Sequence, residues 1–182
     1  MNLSIFYFIN HHRLAILDIF STILSNFFFL LAILFVLYWI LYKKRRQNFV
    51  PTLLATALIL LIHLFTTEIF LKNYFYSPRP YTYLKDVFTL GTPLNDGSFP
   101  SGHLALMTGL LMVLTYYFKK GRLWAFLFLV ILGWSRIYNG VHLPTDVLGG
   151  FALGLLYSFI ALLIVEKLRA MVNAGKIKLS LL

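Results

Sequence analysis

The amino-acid sequence predicts an all-α membrane protein, a bundle of five transmembrane helices. Sixty per cent of its 182 residues are hydrophobic and only 12% are charged, which is too little charge for a soluble domain of this length. The apolar residues fall into long runs, each close to the roughly 20 residues that a helix needs to cross a bilayer. The charged residues lie in clusters between these runs.

The predicted spans cover residues 23–42, 50–71, 102–118, 123–138 and 144–165. The third and fourth runs are short, and we expect their ends to extend into the flanking residues. The whole chain, 1–182, is predicted to form a single membrane-embedded domain. Its other parts are an N-terminal interfacial segment, a long outer loop and a basic cytoplasmic tail, at residues 1–22, 73–100 and 166–182.

The N-terminal segment is apolar only over residues 3–9, which is too short to span a bilayer. His11, His12, Arg13 and Asp18 interrupt any longer run. We therefore predict one or two helices that lie in the outer interface or re-enter there. A sixth, imperfect span is the alternative. No basic stretch precedes an apolar core, so no cleavable signal peptide is predicted.

Most of the positive charge, formally +10, lies beside the inner ends of the predicted spans. The clusters are Lys43, Lys44, Arg45 and Arg46; Lys119, Lys120 and Arg122; and Lys167, Arg169, Lys176 and Lys178. When the spans alternate in direction, all three clusters fall on one side, as the positive-inside rule requires of a cytoplasmic face. The predicted partners are therefore anionic membrane lipids, with no nucleic acid and no obligate protein partner.

Eight polar residues lie at the outer ends of spans two to five. They are Lys72 and Arg79, Ser101 and His103, Ser135 and Arg136, and His142 and Asp146. Polar side chains at membrane depth are costly, and they are interpreted first as functional. The topology depends only on the apolar pattern and the basic clusters, so the meeting of these residues at one face is an independent prediction.

The three cations Lys72, Arg79 and Arg136 predict an anion site. Arginine binds phosphate oxygens in a bidentate manner, and lysine adds a point charge. Ser101 and Gly102 open a predicted helix, whose free N–H groups also favour phosphate. Such a set can neutralise a phosphoryl group during its transfer without a metal. Asp146 is the only obvious outer carboxylate near the histidines, so neither a metal nor another cofactor is predicted.

The two histidines suggest a division of acid–base work. Asp146 follows His142 by four residues, and a carboxylate at this spacing can hold one imidazole N–H and leave the other nitrogen nucleophilic. His103 would face the opposite side of the phosphorus as acid and then base. Glu68, four residues before Lys72 on the same helix face, is predicted to orient that lysine; a plain surface or packing role is the alternative.

These residues resemble the signature of the type 2 phosphatidic acid phosphatase superfamily. The matching blocks are Lys72, six residues and Arg79-Pro80; Pro100-Ser101-Gly102-His103; and Ser135-Arg136, five residues, His142, three residues and Asp146. The resemblance implies that His142 forms a phosphohistidine, that Asp146 supports it, and that His103 is the general acid and then base. It also implies phosphate-binding roles for Lys72, Arg79, Ser101, Gly102 and Arg136. The family usually has six spans, one more than this sequence predicts.

The resemblance implies a metal-independent hydrolase that removes phosphate from a lipid phosphate monoester or diphosphate. Lipid A 1-phosphate and undecaprenyl diphosphate are the favoured substrates, ahead of phosphatidylglycerol phosphate. The expected location is the bacterial inner membrane, with the site facing the periplasm. The alternatives are a lipid-to-lipid phosphotransferase with the same site and a non-enzymatic anion or lipid transporter. The absence of an inverted repeat argues against the transporter.

Overall fold

The computed structural model describes residues 2–91 and 95–175, and within them the chain forms helices and no strands. The α-helices are α1 (Asn2–His11), α2 (Ala15–Leu24), α3 (Phe27–Lys44), α4 (Phe49–His63), α5 (Lys72–Tyr74), α6 (Pro80–Tyr83), α7 (Gly102–Tyr117), α8 (Arg122–Tyr138) and α9 (Pro144–Asn173). A π-helical stretch, Leu64–Leu71, joins α4 to α5, and 3-10 turns cover Arg46–Asn48 and Lys119–Gly121. The predicted all-α class is confirmed. Lys176 and Lys178 of the predicted basic tail lie outside the described residues.

All five predicted spans are helical. Within the described part of the chain, four stretches are long and apolar enough to cross a membrane: Phe27–Lys44, Arg46–Tyr74, Lys119–Tyr138 and Pro144–Asn173. The fifth, α7, has 16 residues. The prediction that the third span extends into its flanking residues is wrong, because the backbone leaves the helical region at both Ser101 and Phe118.

The first span and the last span also differ from the prediction at one end each by four residues or more. The first span starts at Phe27 rather than residue 23, because Asn26 is extended and its side chain accepts a hydrogen bond from the Phe29 N–H, which caps a new helix. The last span continues beyond residue 165 to Asn173.

The N-terminal segment forms two helices of ten residues each, and both are too short to cross a bilayer. The extended Leu14 separates them, so they do not form one continuous sixth span. The buried Asn10 side chain donates to the carbonyls of Phe88 and Tyr138 and accepts from the Phe88 N–H. The segment therefore ties the outer loop to the outer end of α8.

The centre of the bundle is the contact between α7 and α9, where glycine allows the two backbones to approach closely. A Cβ atom on Gly154 would lie 2.5 Å from both the Ala105 carbonyl oxygen and the Thr108 Cβ. A Cβ atom on Gly150 would lie 2.4 Å from the Ser101 carbonyl oxygen. One hydrogen bond, from the Ser101 N–H to the Asp146 carbonyl at 3.0 Å, joins the outer ends of the two helices.

Large apolar side chains cover the outside of the bundle. Phe28 on α3, Trp124 on α8 and Phe159 on α9 are 78%, 73% and 64% exposed. Such a surface would aggregate in water, whereas lipid chains solvate it well. Together with the four long apolar helices, it identifies an integral membrane protein.

The α7–α9 contact generates a stability prediction. Gly154→Ala should destabilise the fold by about 1–3 kcal/mol, because the added methyl group meets backbone that cannot move aside. Gly121→Ala is the matched control, since a Cβ there would find its nearest neighbours at 3.8 Å. Thermal unfolding of both variants in detergent measures the difference. Equal midpoints for the Gly154 variant and the wild type would contradict the close-contact interpretation.

Candidate active site

One cavity at the outer end of the bundle contains most of the predicted site residues. Its polar end is lined by Glu68, Lys72, Arg79, Asp96, Gly102, His103, Arg136 and His142. These residues come from the ends of four long helical segments and from the loop that precedes α7. Five of the eight polar residues expected at this face therefore line one cavity: Lys72, Arg79, His103, Arg136 and His142.

His142 is held in the turn between α8 and α9. Gly140 opens this turn at φ +72°, and a Cβ there would lie 2.4 Å from the Phe88 carbonyl oxygen, so glycine suits the position. His142 is only 2% exposed. Its Nδ1 lies 3.6 Å from Asp146 Oδ2, and its Nε2 lies 3.5 Å from Arg79 Nη1. Burial lowers the pKa of His142 to about 4, although Asp146 acts in the opposite direction. The ring is therefore neutral at pH 7.

The Asp146 carboxylate is fixed from two sides in the first turn of α9. Its Oδ2 accepts a hydrogen bond from the Leu143 N–H at 2.8 Å and another from Ser98 Oγ at 2.5 Å. The first bond is an N-terminal cap of α9. The second was not predicted, because Ser98 lies in an irregular loop and no spacing rule relates it to Asp146.

Two further carboxylates, Glu68 and Asp96, line the cavity that contains His103 and His142, which corrects the expectation that Asp146 is the only one near the histidines. Asp96 Oδ2 lies 2.6 Å from Lys72 Nζ, and Asp96 Oδ1 accepts from Arg79 Nη2 at 2.6 Å and from Arg79 Nε at 3.1 Å. Burial alone would raise the pKa of Asp96, but the hydrogen bonds from Lys72 and Arg79 outweigh it and lower the pKa to about 2. Asp96 was missed because only the fold of the long loop brings it here.

Two buried donors in the site lack partners within the described part of the chain. Arg136 is only 5% exposed, and its Nε makes no hydrogen bond there. Ser101 Oγ is fully buried and likewise unpaired, and it does not cap α7. The Ser101 hydroxyl is therefore not used to cap the helix that follows it. Unpaired buried donors are costly, and an anion with several oxygens would satisfy both.

The π-helical stretch sets the geometry around Lys72. The Lys72 N–H bonds to the carbonyl of Thr67, five residues back, and this wider turn is common at functional sites. Glu68 reaches Lys72 Nζ with Oε2 at 2.8 Å and His63 Nε2 with Oε1 at 3.4 Å. A Cβ on Gly102 would lie 2.4 Å from Glu68 Oε1, so glycine leaves room for this carboxylate.

The expected contact between Glu68 and Lys72 is thus present. Across residues 2–91 and 95–175, no three His, Asp or Glu side chains group as metal ligands would.

The sequence and structure are similar to those of known membrane phosphatases. A family model described as the PAP2 superfamily matches residues 52–170. The undecaprenyl-diphosphatase of Sulfolobus acidocaldarius is 27% identical over 179 residues, which cover 95% of this chain and 85% of that protein.

Two solved structures have the same fold. The crystal structure of Aquifex aeolicus LpxE is 33% identical, with a TM-score of 0.70, and the match covers 88% of this chain and 94% of that one. A PAP2 type phosphatidylglycerolphosphate phosphatase from Bacillus subtilis is 27% identical, with a TM-score of 0.65, over 90% of this chain and 84% of that one.

The low pKa of His142 predicts a specific acid sensitivity of the fold. An unfolded histidine takes up its proton near pH 6.5, whereas folded His142 does so near pH 4. Its contribution to stability is therefore complete above pH 6.5 and is lost as the pH falls towards 4, by about 3 kcal/mol in total. His142→Asn removes this titration, and thermal midpoints in detergent between pH 7 and pH 4.5 should fall less steeply for the variant. Parallel slopes would contradict the prediction.

Proposed function

The chain belongs to the PAP2 superfamily of lipid phosphatases, and on this premise we propose that it hydrolyses a lipid phosphate or diphosphate through a phosphohistidine at His142. The observation that supports this most directly is the position of the neutral imidazole. Nδ1 of His142 faces the Asp146 carboxylate, and Nε2 faces Arg79, one of the cations that would bind a phosphate. Membership of a phosphatase superfamily also favours an enzyme over the transporter that the sequence left open.

The first step transfers the phosphoryl group to the protein. The Asp146 carboxylate lies on the Nδ1 side of His142, at 3.6 Å, so we assign the proton to that nitrogen and the free lone pair to Nε2. Nε2 attacks phosphorus and forms an N–P bond as the P–O bond to the lipid breaks. His103, in the same cavity, enters this step as an imidazolium stabilised by the anionic substrate, and it donates its proton to the departing lipid oxygen.

The second step returns the enzyme to its starting state. His103, now neutral, takes a proton from water as the water oxygen attacks phosphorus. The N–P bond breaks, and inorganic phosphate leaves. In both steps Lys72, Arg79 and Arg136, with Ser101 and the amide of Gly102, would neutralise the phosphoryl oxygens. This assignment uses no metal.

An apolar groove continues from the polar end of the cavity and supports a lipid substrate. The whole cavity has a volume of about 940 Å³ and runs between α3, α4 and α7 as far as Tyr42 and Phe49, at the opposite end of the bundle. Phe35 and Trp39 line it and are 74% and 56% exposed, so the groove opens sideways towards the lipid. We propose that the substrate enters from the outer leaflet along this opening.

The choice of lipid rests on the chain's relatives. Its similarity to an undecaprenyl-diphosphatase covers nearly the whole chain, and the LpxE structure has a higher TM-score and identity than the phosphatidylglycerolphosphate phosphatase structure. We therefore rank undecaprenyl diphosphate and lipid A 1-phosphate together, ahead of phosphatidylglycerol phosphate. We place the protein in the bacterial inner membrane with its site facing the periplasm. The turns at 45–48 and 118–121, which carry the basic clusters, lie at the other end of the bundle.

Phosphate release from a panel of purified lipid phosphates and diphosphates, in detergent with EDTA, tests the activity. Wild-type protein should be fully active in the chelator. His142→Ala should lose turnover by roughly three orders of magnitude or more, because the nucleophile is gone. Rapid quenching with ³²P-labelled substrate should leave an acid-labile, alkali-stable label on the wild type and none on the variant.

His12→Ala is the matched control, because His12 is exposed on the surface and lies outside the cavity. Loss of activity in EDTA with recovery on adding a divalent cation would refute the metal-free mechanism. Release of phosphate only when a second lipid acceptor is present would identify a phosphotransferase instead.

Glu68 provides a second test of the same site. Glu68→Gln keeps the size of the side chain but weakens its ion pair with Lys72, so kcat/KM should fall roughly tenfold as Lys72 loses its orientation. Glu166→Gln is the control, because Glu166 contacts Tyr117 and Arg169 at the inner end of the bundle. Wild-type kcat/KM in the Glu68 variant would remove its positioning role.

A further inference from the structure

Asp96 occupies the position where a bound phosphate would be expected. Its two oxygens bridge Lys72 and Arg79, the two cations that the first sequence block supplies. Arg79 directs both Nε and Nη2 at this one carboxylate and uses Nη1 for the Val141 carbonyl at 3.1 Å. The guanidinium group of Arg79 therefore cannot bind a phosphate in a bidentate manner while Asp96 remains in place.

The burial of the partners shows which of them can move. Arg79 and Lys72 are 2% and 7% exposed and are enclosed by their neighbours, whereas the Asp96 side chain is 39% exposed. Asp96 lies in the irregular segment before α7 and lines the mouth of the cavity. Rotation of one side chain would take its carboxylate into solvent, free Nε and Nη2 of Arg79, and leave Lys72 with Glu68 as its remaining carboxylate partner.

We propose that Asp96 is a tethered counter-ion that fills the phosphate position until a doubly charged phosphate head group displaces it, and that it thereby excludes singly charged phosphodiester lipids. This inference rests on the proposed function, because it takes Lys72 and Arg79 as phosphate ligands. Asp96 acts through these two cations and is a specificity-determining residue rather than a catalytic one.

The charge of the competing head groups gives the physical reason. A membrane phosphodiester carries one negative charge, as Asp96 does, but it is not tethered at the site and so competes poorly with the carboxylate. A phosphate monoester or a terminal diphosphate carries more charge and more acceptor oxygens, and it can also reach Arg136. The low pKa of Asp96 keeps the competitor ionised over the whole working range of pH. The same competition helps to expel the product, inorganic phosphate.

Phosphate binding to the detergent-solubilised full-length protein tests this directly. The dissociation constant of inorganic phosphate should fall about tenfold in Asp96→Asn. A site that Asp96 occupies in about nine molecules of ten binds phosphate about tenfold more weakly than an open site. The constant is measured from the stabilisation of the protein by phosphate against thermal unfolding. Asp96→Ser should behave in the same way and guards against a folding defect specific to one substitution. In both variants, KM for the lipid phosphate should fall together with the dissociation constant of inorganic phosphate.

The second readout is inhibition by phosphatidylglycerol in mixed micelles. It should slow lipid phosphate hydrolysis by the two Asp96 variants at concentrations that leave the wild type unaffected. Asp86→Asn is the matched control: it removes the same charge from the same loop, Asp86 is exposed, and asparagine tolerates its φ of +55°.

Unchanged or weaker phosphate binding in both Asp96 variants would overturn the proposal. A fall in kcat with unchanged KM in the Asp96 variants would also overturn it. That result would mean that the Asp96 carboxylate holds Lys72 and Arg79 in place throughout the reaction and is not displaced by substrate. The binding measurement needs no turnover. A protein that hydrolyses none of the lipids would therefore refute the proposed function, whereas the comparison of phosphate affinities would still decide the role of Asp96.

Discussion

Positive charge buried at a membrane boundary has to be matched by negative charge a few ångströms away, and the outer half of this protein is organised around that requirement. An unpaired buried cation costs several kcal/mol, whereas a well-placed carboxylate removes much of the penalty. Lys72 lies between Glu68 and Asp96, and Arg79 also bonds to Asp96. Arg136 keeps an unpaired Nε. The charges of Lys72 and Arg79 are therefore already matched by carboxylates, whereas the Nε of Arg136 remains available to an anion such as phosphate.

The rest of the bundle keeps this charge arrangement rigid. Backbone contact at Gly150 and Gly154 presses α9 against α7, and the bond between the Ser101 N–H and the Asp146 carbonyl fixes their outer ends together. His103 sits at the start of α7, and His142 comes just before α9. The positions of the two imidazoles are thus tied to the close contact between α7 and α9. Such support is what precise positioning for phosphoryl transfer requires.

Hydropathy was sufficient to predict the class and the five spans, because each span repeats the same apolar signal over many residues. Helix ends depended on local contacts that hydropathy does not report, as the Asn26 cap shows. The pairing of Glu68 with Lys72 followed from helical spacing, although the turn proved to be π-helical. Asp96 and Ser98 escaped prediction because both lie in an irregular segment, where no periodic pattern fixes the direction of a side chain. Arg79 and His142 also lie outside the helices, but the spacing of their sequence blocks pointed to them, whereas no spacing pointed to Asp96 or Ser98.

The shortness of α7 has a consequence for how a lipid must approach. Sixteen residues of helix rise about 24 Å, whereas the hydrocarbon layer is about 30 Å thick. If the inner end of α7 is level with the cytoplasmic boundary, its outer end stops several ångströms beneath the opposite boundary. The head group then has to sink towards the bilayer interior, where bulk water is scarce and attraction between opposite charges is strongest. A lipid can make that descent without withdrawing its tail from the membrane, whereas a water-soluble phosphate ester would have to leave its solvent to do so.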